Sequence, residues 1–193
     1  MIGVAKAYAT RVGEGPFPTE LNDPTGERLR QVGKEFGATT GRPRRCGWFD
    51  VPAARYAIQF CGVQSICITK LDVLSGLDEV RVCTSYAPEI DALKGAPGIT
   101  PELLERVEAS FRSRPNMFPA MLPAGAAFTP RYETLPGWKE PLDDVHDEAH
   151  LPPAARDYVA YLEKQLGVSI DWLSVGRRRD QLIARRGESP WPR

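Results

Sequence analysis

Three short apolar runs, each giving way to a loop rich in Gly, Thr, Lys, Asp or Arg, constrain this chain more than any other feature. Residues 2–7 read as the end of a strand. Residues 65–71 carry Ile66 and Ile68 and close on Thr69-Lys70-Leu71-Asp72. Val168, Ile170 and Trp172 alternate into Ser174-Val175-Gly176. Amphipathic segments separate the runs, so strand, helix and strand follow one another. That order predicts an α/β fold with a mostly parallel sheet, flanking helices and long loops, in which ligands bind beyond the C-terminal ends of the strands.

The helices are legible from periodicity and capping residues. Leu29, Val32 and Phe36 recur at helical spacing, and Gly37 sits where a glycine would end that helix. Asp50 is an N-cap candidate with Pro52 in the first turn, and the helix continues through Ala54, Ile58 and Phe60 to Gly62. Ala155, Tyr158, Val159, Leu162 and Leu166 form one stripe closed by Gly167. Val80, Val82 and Thr84 alternate with polar residues, as in a strand with one wet face. Residues 87–130 break this rhythm. They hold many of the 18 prolines and one helix, with Thr100 as N-cap, Pro101 at its start and Leu103, Leu104, Val107 and Phe111 on one face. They read as a lid-like excursion from a single unit spanning residues 1–193.

Composition excludes several function classes. Twenty-five basic residues balance twenty-five acidic ones, which argues against a nucleic-acid coat and against an acidic tail. With 42% hydrophobic residues, extensive disorder is not expected. No apolar run approaches the ~20 residues of a bilayer span, and the N-terminus lacks a signal-peptide pattern. The expectation is a cytoplasmic chain with no membrane contact. Cys46, Cys61, Cys67 and Cys83 never fall at C-x-x-C spacing and read as buried thiols, not as zinc ligands or disulfides. His146 and His150 are four apart, but Pro152 and Pro153 follow at once, so no helical metal pair is expected.

Three loops could carry chemistry. Thr39-Thr40-Gly41-Arg42-Pro43-Arg44-Arg45 offers hydroxyls, a flexible glycine and three guanidiniums. Arginine forks bind carboxylate and phosphate bidentately, so the loop suits a many-oxygened anion. It is equally compatible with a solvated basic turn. In Thr69-Lys70-Leu71-Asp72, Asp72 could accept two hydrogen bonds from guanine N1–H and N2–H while the Lys70 stem covers the base. Asp72 could also be an ordinary capping residue. Ser174-Val175-Gly176 could wrap a base edge with backbone groups. The chain has no G-x-x-x-x-G-K-[ST] loop and no nucleophile paired with a base.

These segments are similar to a known family. Residues 7–21 (Ala-Tyr-Ala-Thr-Arg-Val-Gly-Glu-Gly-Pro-Phe-Pro-Thr-Glu-Leu) resemble a stretch of the adenylosuccinate synthetases. So do residues 35–50 around Gly37-Ala38-Thr39-Thr40-Gly41-Arg42-Pro43-Arg44-Arg45, the segment Thr69-Lys70-Leu71-Asp72-Val73-Leu74, and Tyr132-Glu133-Thr134-Leu135-Pro136-Gly137-Trp138, in the same order. The resemblance implies a ligase of AMP biosynthesis that joins IMP to L-aspartate with GTP and Mg²⁺. GTP phosphorylates the 6-oxygen of IMP, and the aspartate amine then displaces that phosphate. It implies a P-loop-NTPase-like sheet and a homodimer. It places Val12 near the IMP ribose and Ala38, Thr39, Thr40, Gly41 and Arg42 on aspartate and IMP. It places Arg44 near the GTP phosphates and Lys70, Leu71, Asp72, Ser174, Val175 and Gly176 around guanine.

The resemblance is to the C-terminal part of that family. Its phosphate loop, catalytic Asp and His and Mg²⁺ ligands lie in an N-terminal part. No catalytic or metal residue is therefore expected in this chain, which should be inactive alone and need a separate N-terminal half. The family has Pro and then an acidic residue after the Ser-x-Gly turn, where Arg177 and Arg178 stand here, and its counterpart of 87–130 is shorter. Two other readings are carried: a non-catalytic nucleotide-binding or interaction module, and an RNA-binding module using Arg44, Arg45 and Arg177 to Arg179.

Overall fold

In a computed structural model, which describes residues 1–94, 97–113 and 128–186, the elements run β1 (Ile2–Lys6), β2 (Ala9–Arg11), α1 (Pro24–Gly33), β3 (Arg45–Gly47), β4 (Phe49–Asp50), α2 (Val51–Cys61), β5 (Ser65–Thr69), β6 (Glu79–Pro88), α3 (Ile90–Lys94), α4 (Pro101–Ser113), β7 (Phe128–Pro136), α5 (Pro153–Leu166), β8 (Ser169–Ser174) and β9 (Leu182–Ala184). Short 3₁₀ turns occupy Leu71–Leu74, Glu148–His150 and Arg179–Gln181.

The three apolar runs become three adjacent parallel strands. The principal sheet has the order β1-β5-β8-β9, with β1, β5 and β8 parallel. Strand β9 closes one edge antiparallel to β8. It lies in the Arg-rich tail, where three residues were too few to show a period, yet Ile183 is buried. A second sheet, β4-β6-β7, is dominated by the long β6–β7 hairpin. The excursion at 87–130 hangs from that hairpin, with α3 and α4 packed on it. Cys83, Tyr86, Leu93, Val107 and Phe111 form a small core there, separate from the main one. The parts of the excursion at 95–96 and 114–127 lie outside the described residues.

Local signals explain the helices. Asp50 accepts from the Ala53 N–H and caps α2, which stops at left-handed Gly62. The Thr100 hydroxyl accepts from Leu103 N–H at 3.2 Å. Helix α5 buries its whole stripe against the main core. Helix α1 departs from the periodicity. It ends at Lys34, whose φ of 50° is left-handed, so Phe36 and Gly37 lie beyond it and Val32 is exposed. Of the cysteines, Cys46 and Cys83 are buried, Cys67 half-buried and Cys61 exposed at the end of α2; the last corrects the expectation of buried thiols.

One face of the main sheet is thinly covered. Ile66, Ile68, Ile170, Leu173 and Ile183 are buried. The register then lines up Val4, Cys67, Trp172 and Ala184 as one row across all four strands. Val4 is 74% exposed, and the Trp172 indole N–H is buried without a partner. Strand β1 is also the open edge of the sheet. Parallel sheets are normally covered on both faces. No helix among the described residues is long and apolar enough to cross a membrane.

Candidate functional site

The C-terminal ends of β1, β5 and β8 lie side by side; the loops at 69–72 and 174–176 leave from β5 and β8, while the anion loop connects α1 to β3. Lys70 has φ 60°, a left-handed turn that carries the chain from β5 into the 3₁₀ turn bearing Asp72. The Lys70 ammonium donates to Gly33 O at 2.6 Å and to Glu35 Oε1 at 2.7 Å. Asp72 Oδ1 is buried with no hydrogen-bond partner. Burial pushes the Asp72 carboxyl above the usual range; Asp143 adds to that, while Lys70 and Arg177 oppose it. An orphaned buried carboxylate oxygen at a strand end is what a ligand presenting N–H groups would satisfy.

The centre of the site is a residue that periodicity concealed. Glu35 is fully buried and accepts four donors: Tyr8 OH at 2.7 Å, Lys70 at 2.7 Å, Lys6 at 2.9 Å and Arg44 at 3.1 Å. Burial alone would raise its pKa. Hydrogen bonds from Lys70, Tyr8 and Lys6 outweigh that and hold it at about 2. A helix continued to Phe36 would have turned Glu35 to solvent. The left-handed Lys34 ends the helix one turn early and directs Glu35 inward. Burial and the neighbouring carboxylate push the Tyr8 hydroxyl well above its usual range, so it remains a donor.

The anion loop is a projecting turn on this base. Arg44 N–H donates to Glu35 O and Gly37 N–H to Arg42 O, closing a stem whose tip carries Ala38, Thr39, Thr40, Gly41 and Arg42 into solvent. Gly41 has φ 65°, a conformation that side-chain-bearing residues rarely adopt. The three guanidiniums are not equivalent. Arg45 grips Glu20 and the carbonyls of Gly13 and Gly15, closing the 12–20 loop. Arg44 shares Glu35 but leaves its Nε–H buried and unpartnered. Only the Arg42 head stands at the exposed tip. With Arg45 held by Glu20, the basic surface required by the RNA-binding reading is not assembled from that pair.

The 174–176 turn is largely self-satisfied. Ser174 Oγ donates to Gly176 O at 2.9 Å, and Val175 N–H to Gln181 O. A Cβ on Gly176 would run into the Gln181 amide, so Gly176→Ala should displace Gln181 from Asp143 O and lower the melting temperature by about 2–4 °C for a loss of ~1 kcal/mol. Val12 is 76% exposed on the loop after β2, apart from the Glu35 cluster. Leu71 is fully buried, so it can offer only its backbone. His146 lies against Asp180 O and His150 against Asp147. Among the described residues no three His, Cys, Asp or Glu side chains converge; those residues do not fit a divalent-cation site. A cleft of about 520 Å³ beside Tyr86, Pro88, Phe111 and Arg131 contains none of the sequence-selected residues.

This arrangement has relatives. The family model described as adenylosuccinate synthetase matches residues 1–183. The chain belongs to the adenylosuccinate synthetase family. It is 48% identical over 186 residues to the adenylosuccinate synthetase of Citrifermentans bemidjiense and 50% identical over 186 residues to that of Geobacter sp. strain M21. A solved structure of fully ligated adenylosuccinate synthetase from Plasmodium falciparum superposes with a TM-score of 0.75 at 36% identity, covering 96% of this chain. The chain spans 38% of the length of the two bacterial relatives and 39% of the Plasmodium chain. The resemblance of its loops to this family and the mixed, parallel-rich α/β sheet are thereby established. What periodicity missed are the acceptor and donors beneath the loops: Glu35, Tyr8 and Lys6. The one available signal was a glutamate one residue after a helix-ending lysine, directly before the anion loop.

Proposed function

We propose that this chain supplies the guanine-binding and aspartate-binding loops of an IMP–L-aspartate ligase. The observation that carries the reading is Asp72 Oδ1, buried and unpartnered where β5 ends, one turn from Lys70 and beside the 174–176 turn. Asp72 would accept guanine N1–H and N2–H. Lys70, anchored through its head on Gly33 and Glu35, would lay its stem along the base, with Leu71 and residues 174–176 around its edge. Arg44, with an unused Nε–H, would face the GTP phosphates. Ala38, Thr39, Thr40, Gly41 and Arg42 would close on L-aspartate and IMP, and Val12 would line the ribose. The reaction transfers the γ-phosphoryl of GTP to the IMP 6-oxygen. The aspartate amine then forms the C–N bond as phosphate leaves. This chain's residues would orient substrates, a major part of phosphoryl-transfer catalysis. Among the described residues no three His, Cys, Asp or Glu side chains gather into a cation site, so the Mg²⁺ that serves the family would be held outside them, and no step assigned here passes through it.

The thinly covered face at exposed Val4 and the β1 edge would receive the polypeptide that carries the relatives' remaining length. The test mixes this chain with that remaining portion of the Geobacter relative. The expected result is phosphate release from GTP that requires both IMP and aspartate, and that Val4→Asp abolishes by placing a charge in the contact. A folded mixture with no release overturns the reading. Guanine nucleotide binding by the chain alone, with no release from the mixture, would instead favour a non-catalytic nucleotide-binding module. That alternative draws on the Glu35 cluster, which is complete within this chain.

A further inference from the structure

We infer that Glu35 is the positioning residue of this site, holding Lys70 and Arg44 as one unit so that the two ends of a guanine nucleotide are read together. The inference deepens the reading above and rests on it for the identity of the ligand. Lys70 leaves from β5, Lys6 from β1 and Arg44 from the anion-loop stem, so three separate segments meet on one carboxylate. Each oxygen takes two donors: Oε1 from Tyr8 and Lys70, Oε2 from Lys6 and Arg44. The carboxylate is thereby saturated and has no lone pair left for a ligand. It acts through the groups it holds and does not touch substrate itself.

The charge count explains why such a group would serve a polyphosphate. Three cations surround one anion, so the cluster keeps a surplus of positive charge while each head group is fixed in place. Without Glu35, Lys6, Lys70 and Arg44 would repel one another and swing into solvent. A phosphate would then have to order them on binding, at an entropic cost for each long side chain. The backbone is tied in as well, since Glu35 O accepts Arg44 N–H and fixes the stem of the loop that presents Arg42.

Amine labelling of the whole chain, read by peptide mass spectrometry, tests the hub without any nucleotide. A head engaged by charge-assisted hydrogen bonds and partly buried is sheltered from the reagent, so Lys70 and Lys6 should label roughly tenfold more slowly than exposed Lys164. Glu35→Gln should bring both close to the Lys164 rate. Equal rates in the unaltered chain, or slow rates that persist in a folded Glu35→Gln chain, overturn the proposal. If Glu35→Gln does not fold, Glu35→Asp substitutes for it: the carboxylate then sits one methylene short, and labelling of Lys70 must rise above that of the unaltered chain.

GDP titration provides the second arm. Glu35→Gln should weaken GDP binding about tenfold, the worth of one charge-assisted hydrogen bond lost at Lys70. Added to Lys70→Ala it should weaken binding little further, because residues acting through one another are not additive. A purely structural glutamate would give additive losses, and that result overturns the proposal. No GDP binding by the unaltered chain sinks the guanine reading of the preceding section, while the labelling rates decide the role of Glu35 independently.

Discussion

Asp72→Ala should raise the stability of the ligand-free chain and at the same time abolish the guanine recognition proposed for it. The two effects share one cause. Asp72 Oδ1 is buried without a partner, and an unsatisfied buried acceptor costs about 1–3 kcal/mol. Burial raises the Asp72 pKa above its unfolded value. A carboxyl shifted upward favours the folded state below its unfolded pKa, and that benefit is lost as pH rises through the folded value. That direction makes the ionised group unfavourable in the folded state. Its removal should raise the melting temperature by about 2–4 °C per kcal/mol. Loss of two hydrogen bonds to a charged acceptor should weaken guanine nucleotide binding by at least about a hundredfold. Calorimetric melting and nucleotide titration check both limbs. A lower melting temperature would mean that Asp72 has a structural partner, and unchanged affinity would remove it from the base site.

The largest expected loss of stability is at Glu35. Removing one partner of a buried ionic cluster costs roughly 3–5 kcal/mol, because the remaining charges are left uncompensated. Its cations are a quarter to a third exposed, which puts Glu35→Ala at the lower end, about 3 kcal/mol, or a drop of roughly 10 °C in melting temperature. The pH dependence has the opposite sign to that of Asp72. The folded-state pKa of Glu35, about 2, lies below its ordinary value of 4.5. Its stabilisation is complete above the unfolded value and disappears as pH falls from about 4.5 towards 2. Denaturant melts of Glu35→Gln and the unaltered chain should therefore differ at pH 7 and converge near pH 2. A constant difference across that window would show that Glu35 stabilises by packing and not by charge.

Much of the main sheet was legible because its strands are short apolar runs with polar loops at their ends, and residues 65–69 became β5 with Ile66 and Ile68 buried. The caps at Asp50 and Thr100 and the stripe on α5 were legible for the same reason: a cap or a helical period is written in a few consecutive residues. Strand β9 was not, since three residues in a basic tail carry no period. Nor was the early end of α1, because a left-handed lysine has no compositional signature comparable with glycine.

The amino-acid order determined by itself which segments become the main parallel strands, which loops hold the candidate residues Arg42, Arg44, Lys70 and Asp72, and, through long collinear motifs, the family to which the chain belongs. Tertiary structure decided which of those side chains are available. It joined Arg45 to Glu20, gave Arg44 and Lys70 a common acceptor in Glu35, and left Asp72 Oδ1 without a partner. A charge's partner is set by distance in space, and Glu35 meets Lys70 across 35 residues of sequence. Periodicity extends over a few turns of one element, and an ion pair between elements exists only once the chain has closed on itself.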